Sequence, residues 1–200
     1  MDYEVTEAAE ALLKLSLEYK LRLATAESCT GGLVAAALTE ISGSSAVFDR
    51  AYITYSNEAK QNMLGVPAAT LKEYGAVSRQ TAEAMSEGAL TKSKVDFAVS
   101  ITGIAGPDGG TPEKPVGLVH FSAVSRNGGS MHALKRFGDL GRSEVRRRSV
   151  LHALYMLKEL AESEVAKRPR WKPIERPKQP DPFWPPEERV IKQWPDKIRK

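Results

Sequence analysis

The stretch T-A-E-S-C-T-G-G, Thr25 to Gly32, decides how this sequence is expected to fold. It continues a short apolar run, Leu21–Ala26, that predicts a buried strand. It also leads into Gly31–Ile41, which predicts a helix with Ser28 or Thr30 placed to cap its start. A strand, a glycine-rich turn and a helix in this order indicate an α/β fold.

The same alternation continues on both sides of this stretch. Apolar residues at helical spacing predict an N-terminal helix over about residues 4–20. Further strands are predicted at Val47–Tyr55, Val95–Ile101, Val116–Ser125 and Met131–Phe137, the last two joined by a hairpin turn at Arg126–Gly129. Further helices are predicted at Ser56–Met63, Ala69–Tyr74, Ser78–Thr91 and Ser143–Glu164. We expect a three-layer α/β/α sandwich with a mixed sheet and helices on both faces.

The C-terminal segment, 168–200, differs in composition from the rest of the chain. It contains 10 Lys/Arg against 5 Asp/Glu and 8 of the 12 prolines, whereas residues 1–167 have a net charge of −1. We therefore predict one domain over 1–167 and an extended, basic, proline-rich tail over 168–200. Cations and three tryptophans could serve to bind nucleic acid or another protein. We favour tryptophans packed on the domain or on a neighbouring subunit, and nucleic acid is not the expected partner.

Several classes of protein are excluded by composition. A single cysteine excludes an intramolecular disulfide and a four-cysteine zinc site. No apolar run reaches the ~18 residues of a membrane helix, and Asp2 and Glu4 stand where a signal peptide carries positive charge. We expect a cytoplasmic protein without a membrane segment, metal or cofactor.

Two neighbouring side chains, Ser28 and Cys29, are the candidate nucleophiles. Free N–H groups at the start of the following helix suit an oxyanion or a phosphate. The alternative is that Ser28 or Thr30 only caps the helix and the glycines only serve packing. A cysteine nucleophile needs a histidine to activate it. The three histidines fall in predicted strands and in the last helix, where we expect structural or surface roles: His120, His132 and His152.

Without a histidine, a lysine is the available base for Ser28. The run Y-I-T-Y-S-N-E-A-K, Tyr52–Lys60, places Tyr55 at the end of a strand and Lys60 in the first turns of a helix. To act as a base, Lys60 needs a pKa lowered from about 10.4 to nearer 7–8, and burial beside Tyr55 can supply part of that shift. The alternative is an ordinary solvated lysine.

A third candidate region is the glycine- and proline-rich loop that follows the Val95–Ile101 strand. It reads S-I-T-G-I-A-G-P-D-G-G-T-P-E-K-P-V-G from Ser100 to Gly117. Loops at strand ends line ligand crevices in α/β proteins. The loop has neither a P-loop ending nor G-x-G-x-x-G, so no standard nucleotide motif is present. Its length and its five glycines favour a functional loop over a plain connector.

Together, three motifs resemble the CinA C-terminal domain family, also called PncC: T-A-E-S-C-T-G-G, I-T-Y-S-N-E-A-K, and S-I-T-G-I-A-G-P-D-G-G followed by E-K-P-V-G. The resemblance covers roughly residues 5–163. It implies an α/β/α sandwich in a stand-alone form, without the larger N-terminal nucleotide-hydrolase domain of some members. It also implies a nicotinamide-nucleotide amidohydrolase, which converts nicotinamide mononucleotide (NMN) and water to nicotinic acid mononucleotide and ammonia.

The resemblance also implies roles for particular residues. Ser28 is the nucleophile, Lys60 the base and Tyr55 a relay or orienting group, so Cys29 is a bystander. The N–H groups of Thr30, Gly31 and Gly32 are expected to hold the oxyanion. Candidates for binding the 5′-phosphate are Thr102, Gly103, Gly106, Arg142 and Arg146. No metal is needed, because the pyridinium charge already makes the carbonyl electrophilic.

The expected partners are the small-molecule substrate, NMN, and further copies of the chain. We expect a homo-oligomer, for which a dimer is one form, and an arginine that contacts the phosphate could come from a second subunit. A non-catalytic nucleotide-binding module of the same fold is the alternative function. The intact set of Ser28, Lys60 and Tyr55 favours the enzyme.

Overall fold

The strand that precedes Ser28 is an inner strand of a mixed five-stranded sheet. The computed structural model describes residues 2–167. The strands are β1 (Leu23–Glu27), β2 (Phe48–Ile53), β3 (Phe97–Gly103), β4 (Leu118–Ser125) and β5 (Ser130–Arg136). The helices are α1 (Tyr3–Tyr19), α2 (Leu33–Thr39), α3 (Asn57–Leu64), α4 (Ala68–Tyr74), α5 (Arg79–Ser93) and α6 (Arg142–Ala166), and a short 3₁₀ turn at Ser44–Ala46 precedes β2.

The strand order, β2-β1-β3-β4-β5, brings the candidate loops together. Strand β1 pairs in parallel with both β2 and β3, so that Glu27 lies beside Ile53 and Ile101. Strands β3, β4 and β5 pair in antiparallel fashion. The carboxyl ends of three parallel strands therefore meet at one edge, where ligands bind in α/β sheets.

Two apolar clusters lie on opposite faces of this sheet. Along β3, Phe97 and Val99 belong to one cluster and Ala98 belongs to the other, because alternate side chains of a strand point to opposite faces. The first cluster also draws on α1, α2 and α6, and the second on α3, α4 and α5. The predicted α/β fold, with a mixed sheet packed by helices, is confirmed.

Local signals placed most elements correctly. Ser56 accepts the N–H of Ala59 at 3.0 Å and Ser78 accepts that of Thr81 at 3.2 Å, so both predicted caps are confirmed. The predicted hairpin is confirmed as β4 and β5. No helix within residues 2–167 is long and apolar enough to cross a membrane. The predicted tail, 168–200, lies outside the described residues.

The predicted cap of α2 is wrong. This helix starts two residues later than expected, at Leu33, and neither Ser28 nor Thr30 caps it through a side chain. The carboxylate of Glu27 accepts the N–H groups at the helix start instead. Gly31 and Gly32 have φ values of 61° and 97°, a region that favours glycine, and they turn the chain between β1 and α2.

Candidate active site

The structure brings Ser28 and Lys60 into direct contact. Ser28 directly follows β1, and Lys60 lies on α3, which follows the neighbouring strand β2. The Lys60 amine donates to Ser28 Oγ at 3.1 Å and to the carbonyl oxygen of Thr54 at 2.8 Å. A hydroxyl within hydrogen-bond distance of an amine is the geometry that proton transfer between them requires.

Burial sets the chemistry of this amine. Lys60 is only 1% exposed, although its helix lies at the surface. Desolvation disfavours the charged form, and it lowers the pKa of Lys60 from 10.5 to about 8. No carboxylate within residues 2–167 forms an ion pair with Lys60 that would restore the higher value. An appreciable fraction of the amine is therefore neutral near neutral pH.

Cys29 has the opposite character. It is buried against the cluster that contains α1, α2 and α6, although it also contributes to the wall of the cavity beside Ser28. Burial raises the pKa of the thiol to about 12. A thiol that stays protonated is a poor nucleophile, so of the two neighbours the structure favours Ser28.

The N–H groups of the turn are only partly free to bind an anion. Gly31 donates to the carbonyl oxygen of Ser28 at 3.1 Å, and Gly32 donates to the Glu27 carboxylate at 2.9 Å. Within residues 2–167, the N–H groups of Cys29 and Thr30 donate to no other residue. Of the three expected oxyanion donors, Thr30, Gly31 and Gly32, only Thr30 has an N–H group that is free to bind an anion. The N–H group of Cys29, which was not predicted, is a second candidate donor.

A cavity of about 270 Å³ opens beside Ser28 and Lys60. Its wall comes from the ends of β1 and β3, the α4–α5 connection, and the loop after β3. Tyr55 and Arg142 also line it, and Arg142 donates to the Tyr55 hydroxyl at 2.9 Å and to the Gly106 carbonyl at 3.0 Å. Three distant segments therefore meet around one guanidinium at the cavity wall.

Tyr55 does not connect the serine to the lysine. Its side chain is mostly exposed, and the hydroxyl is bonded to Arg142 rather than to Ser28 or Lys60. Ser28 and Lys60 are already hydrogen-bonded to each other, so a proton can pass between them without a relay group. The position of Tyr55 on the cavity wall suits an orienting group.

The loop after β3 is shaped by close packing. At the end of β3, before this loop, the Thr102 hydroxyl donates to the carbonyl of Ala76 at 2.7 Å and so ties the strand end to the α4–α5 connection. A Cβ at Gly103 would lie 2.7 Å from the carbonyl oxygen of Leu118, and one at Gly106 would lie 2.6 Å from Val116. All three predicted residues line the cavity, but the Thr102 hydroxyl is already engaged as a donor.

Arg146 serves the turn rather than the cavity. Its guanidinium donates to the carbonyl of Thr30 at 2.8 Å, and it is not among the residues that line the cavity. Of the two arginines expected to bind a phosphate, only Arg142 faces the space where a substrate would lie. Arg146 instead holds the turn that carries Ser28.

The histidines lie outside the cavity. His120 and His132 are on β4 and β5, with ring nitrogens 3.2 Å apart, and His152 packs edge-on against Phe121. Burial lowers the pKa of His120 and of His152 to about 4. These contacts agree with the structural or surface roles that were predicted for the three histidines. Within residues 2–167, no three His, Cys, Asp or Glu side chains cluster closely enough to hold a metal ion.

Sequence reasoning missed Glu27 and Thr54. Glu27 reaches over the turn that follows it, and the Thr54 carbonyl is the second partner of the Lys60 amine. A glutamate directly before a Ser-x-x-Gly-Gly turn was the available signal for the first. The second rests on a main-chain atom, for which the residue type gives no signal.

The fold and the site together define an α/β protein with a buried serine–lysine pair at the carboxyl edge of its sheet. Comparison with known proteins narrows this class. The family model described as the CinA C-terminal domain matches residues 5–161. The chain belongs to the CinA C-terminal domain family.

Relatives and solved structures agree with this membership. A competence-damage inducible protein of Thermoanaerobacter pseudethanolicus is 51% identical over 148 residues, which are 74% of this chain and 35% of that protein. A CinA-like protein of Leptospira borgpetersenii is 53% identical over 118 residues, 59% of this chain and 28% of that protein. The chain thus spans about a third of the length of such relatives.

Two crystal structures share the fold over most of their length. The competence/damage inducible protein CihA of Agrobacterium tumefaciens superposes with a TM-score of 0.79 at 53% identity, over 80% of this chain and 97% of that one. A CinA superfamily protein of Klebsiella pneumoniae gives a TM-score of 0.75 at 36% identity, over 80% of this chain and 98% of the other.

Proposed function

We propose that this chain hydrolyses the carboxamide of nicotinamide mononucleotide to nicotinic acid mononucleotide and ammonia. The observation that carries the proposal is the 3.1 Å contact between Ser28 Oγ and the buried Lys60 amine at the wall of a cavity. The family to which the chain belongs includes NMN amidohydrolases. The activity follows from combining that family membership with the chemistry of the pair.

The first half of the reaction forms an acyl-enzyme. The Thr54 carbonyl holds one N–H of the Lys60 amine, so a neutral amine can turn its lone pair towards the Ser28 hydroxyl. Ser28 Oγ attacks the carboxamide carbon while its proton passes to Lys60. The resulting oxyanion is held by the free N–H groups of Cys29 and Thr30. Lys60 then protonates the leaving nitrogen, the C–N bond breaks and ammonia departs.

The second half regenerates the serine. Lys60, again neutral, takes a proton from a water molecule, whose oxygen attacks the acyl carbon. The ester bond breaks, the proton returns to Ser28 Oγ and the carboxylic acid product leaves. In this scheme Tyr55 orients the pyridinium ring and Arg142 provides the positive charge that a 5′-phosphate needs.

The proposal is tested by ammonia release from NMN by the purified protein, with a chelator in a parallel reaction. Ser28→Ala should lower kcat by at least ~10³-fold and leave NMN binding nearly intact. Cys29→Ser, a change of similar size at the adjacent position, should keep most of the activity. Activity that survives in Ser28→Ala but is lost in Cys29→Ser would overturn the serine assignment.

The same experiment separates the enzyme from a binding module. If NMN raises the melting temperature of the wild-type protein but is not consumed, the chain binds the nucleotide without turning it over. If NMN is neither bound nor hydrolysed, NMN is not the ligand. The substrate of the serine–lysine pair would then have to be sought among other compounds.

A further inference from the structure

Glu27 is a fully buried carboxylate placed directly before the proposed nucleophile. It is 0% exposed, and its two oxygens accept main-chain N–H groups from the start of α2: Gly32 at 2.9 Å, Val34 at 3.2 Å and Ala35 at 2.9 Å. The Thr25 hydroxyl also lies 3.3 Å from the carboxylate. These bonds supply the partners that a buried charged group requires.

The main chain at Glu27 is also fixed on both sides. Its carbonyl accepts the N–H of Thr54 at 2.8 Å, and the next N–H, that of Ser28, donates to Ile101 at 3.0 Å. The side chain then reaches forward over the turn and holds the first turn of α2. The turn formed by residues 28–31 is thus fixed at both ends by Glu27: by its main chain at the end of β1 and by its carboxylate at the start of α2.

Only a carboxylate of this length completes the arrangement. Glutamine offers one acceptor oxygen and would present its NH₂ group to a main-chain N–H, which leaves two donors opposed. Aspartate has the right chemistry but is shorter by one methylene group. The partial positive charge at a helix start adds a favourable interaction with the carboxylate.

We propose that Glu27 is the positioning residue of the site, and that it acts through Ser28. By anchoring both ends of the turn, it keeps Ser28 Oγ within reach of the Lys60 amine and fixes the free N–H groups of Cys29 and Thr30. Arg146 supports the same turn from the other side through the Thr30 carbonyl. This inference rests on the proposed function for its substrate, although its geometry does not depend on NMN.

The central measurement is the kinetic effect of Glu27→Gln. Small misplacement of a reacting group costs up to about 10²-fold in rate, so kcat for NMN should fall by about that factor. KM should change by less than about threefold, because Glu27 does not line the cavity. Glu27→Asp, which keeps the charge, should lose less of kcat, and it also serves as the second variant if Glu27→Gln does not fold.

A matched control is Glu164→Gln. Glu164 is a buried carboxylate, 7% exposed, near the end of α6. Arg142, at the start of α6 beside the cavity, is 22 residues earlier, which is about 33 Å along a helix. Glu164→Gln should lower the melting temperature and leave kcat per folded molecule unchanged. If Glu27→Gln behaves in the same way, Glu27 is merely structural and the proposal is wrong.

A second readout separates this proposal from the proposed function. A fluorophosphonate probe reports how reactive Ser28 is without requiring NMN as the substrate. Labelling of Ser28 should be about 10²-fold slower in Glu27→Gln than in the wild type and unchanged in Glu164→Gln. Slow labelling in Glu27→Gln combined with no NMN hydrolysis by the wild type would reject the substrate and keep the positioning role. Equal labelling rates, or a raised KM at unchanged kcat, would overturn the positioning role.

Discussion

A single buried lysine decides the chemistry of the site at the residue scale. Lys60 has a hydroxyl and a carbonyl as its partners and lies in a wall that excludes most water. Neither partner carries a charge that would repay the desolvation of an ammonium group. The amine is therefore held near the protonation state that a general base needs, with no histidine among its described partners.

The pH dependence of activity follows from the pKa of this amine. The base must be neutral, and burial lowers the pKa of Lys60 to about 8. Below that pH most of Lys60 is protonated, so kcat/KM for NMN should rise about tenfold per pH unit and level off above about pH 8. Initial rates of ammonia release between about pH 6 and about pH 10 measure this profile.

Lys60→Arg is the matched variant for this profile. A guanidinium keeps its proton throughout the range, so Lys60→Arg should be inactive at every pH. A wild-type profile that is flat across pH 8, or activity in Lys60→Arg, would show that another group accepts the proton of Ser28.

Part of this site could be predicted from residues alone. Ser28 follows a strand directly and Lys60 lies in the first turns of the helix after the next strand, and the preference of ligands for the carboxyl edge places both on one side of the sheet. Their contact could not be predicted without the strand order, which brings β2 beside β1. The Arg142 contacts are harder still, because they join residues 36 and 87 positions apart through packing of α6.

At the scale of the elements, α3 is the part that sets the position of the lysine. It carries Lys60, and it packs against α5 at a point where α5 has a glycine, Gly88. The Ser56 and Ser78 caps predicted α3 and α5 nearly to their ends. They did not predict how close the two helices come, because that distance depends on the absence of a side chain at Gly88.

Gly88→Ala should destabilise the protein, against the usual trend. Alanine favours a helix interior over glycine by about 1 kcal/mol. At Gly88, however, a Cβ would lie 2.2 Å from the carbonyl oxygen of Leu64, a main-chain atom of α3 that moves only if the helix moves. Overpacking of this kind costs about 1–3 kcal/mol, which exceeds the helix preference. The free energy of unfolding in urea should fall, and kcat should fall with it because α3 carries Lys60.

The control for this substitution is Glu87→Ala, at an exposed position of the same helix. It should change the free energy of unfolding by less than about 0.5 kcal/mol. If Gly88→Ala is as stable as the wild type, the two helices can separate without cost, and close packing is not what fixes Lys60.

At the scale of the whole molecule, the described residues, 2–167, already contain the serine–lysine pair and the cavity beside it. Among the described residues, this part of the chain forms two apolar clusters, a five-stranded sheet and the wall of the cavity. The sequence predicted this division from charge and proline content, which remains a prediction for the segment 168–200. Composition separates a core-forming segment from one with few apolar side chains, but it cannot say what the second segment contacts.

Truncation after Lys167 tests that division. It removes a net charge of +5 and leaves α6 complete to Ala166. Because the buried clusters and the cavity stay intact, kcat/KM for NMN should stay within about twofold, and the melting temperature should change by less than about 4 °C, the shift that 1 kcal/mol would produce. Loss of activity or aggregation of the truncated chain would mean that segment 168–200 completes the site or covers an apolar face.

We also expect neither the full chain nor the truncated chain to bind a single-stranded oligonucleotide at physiological ionic strength. Binding by the full chain alone, weakened steeply by added salt, would show instead that the basic segment contacts phosphates.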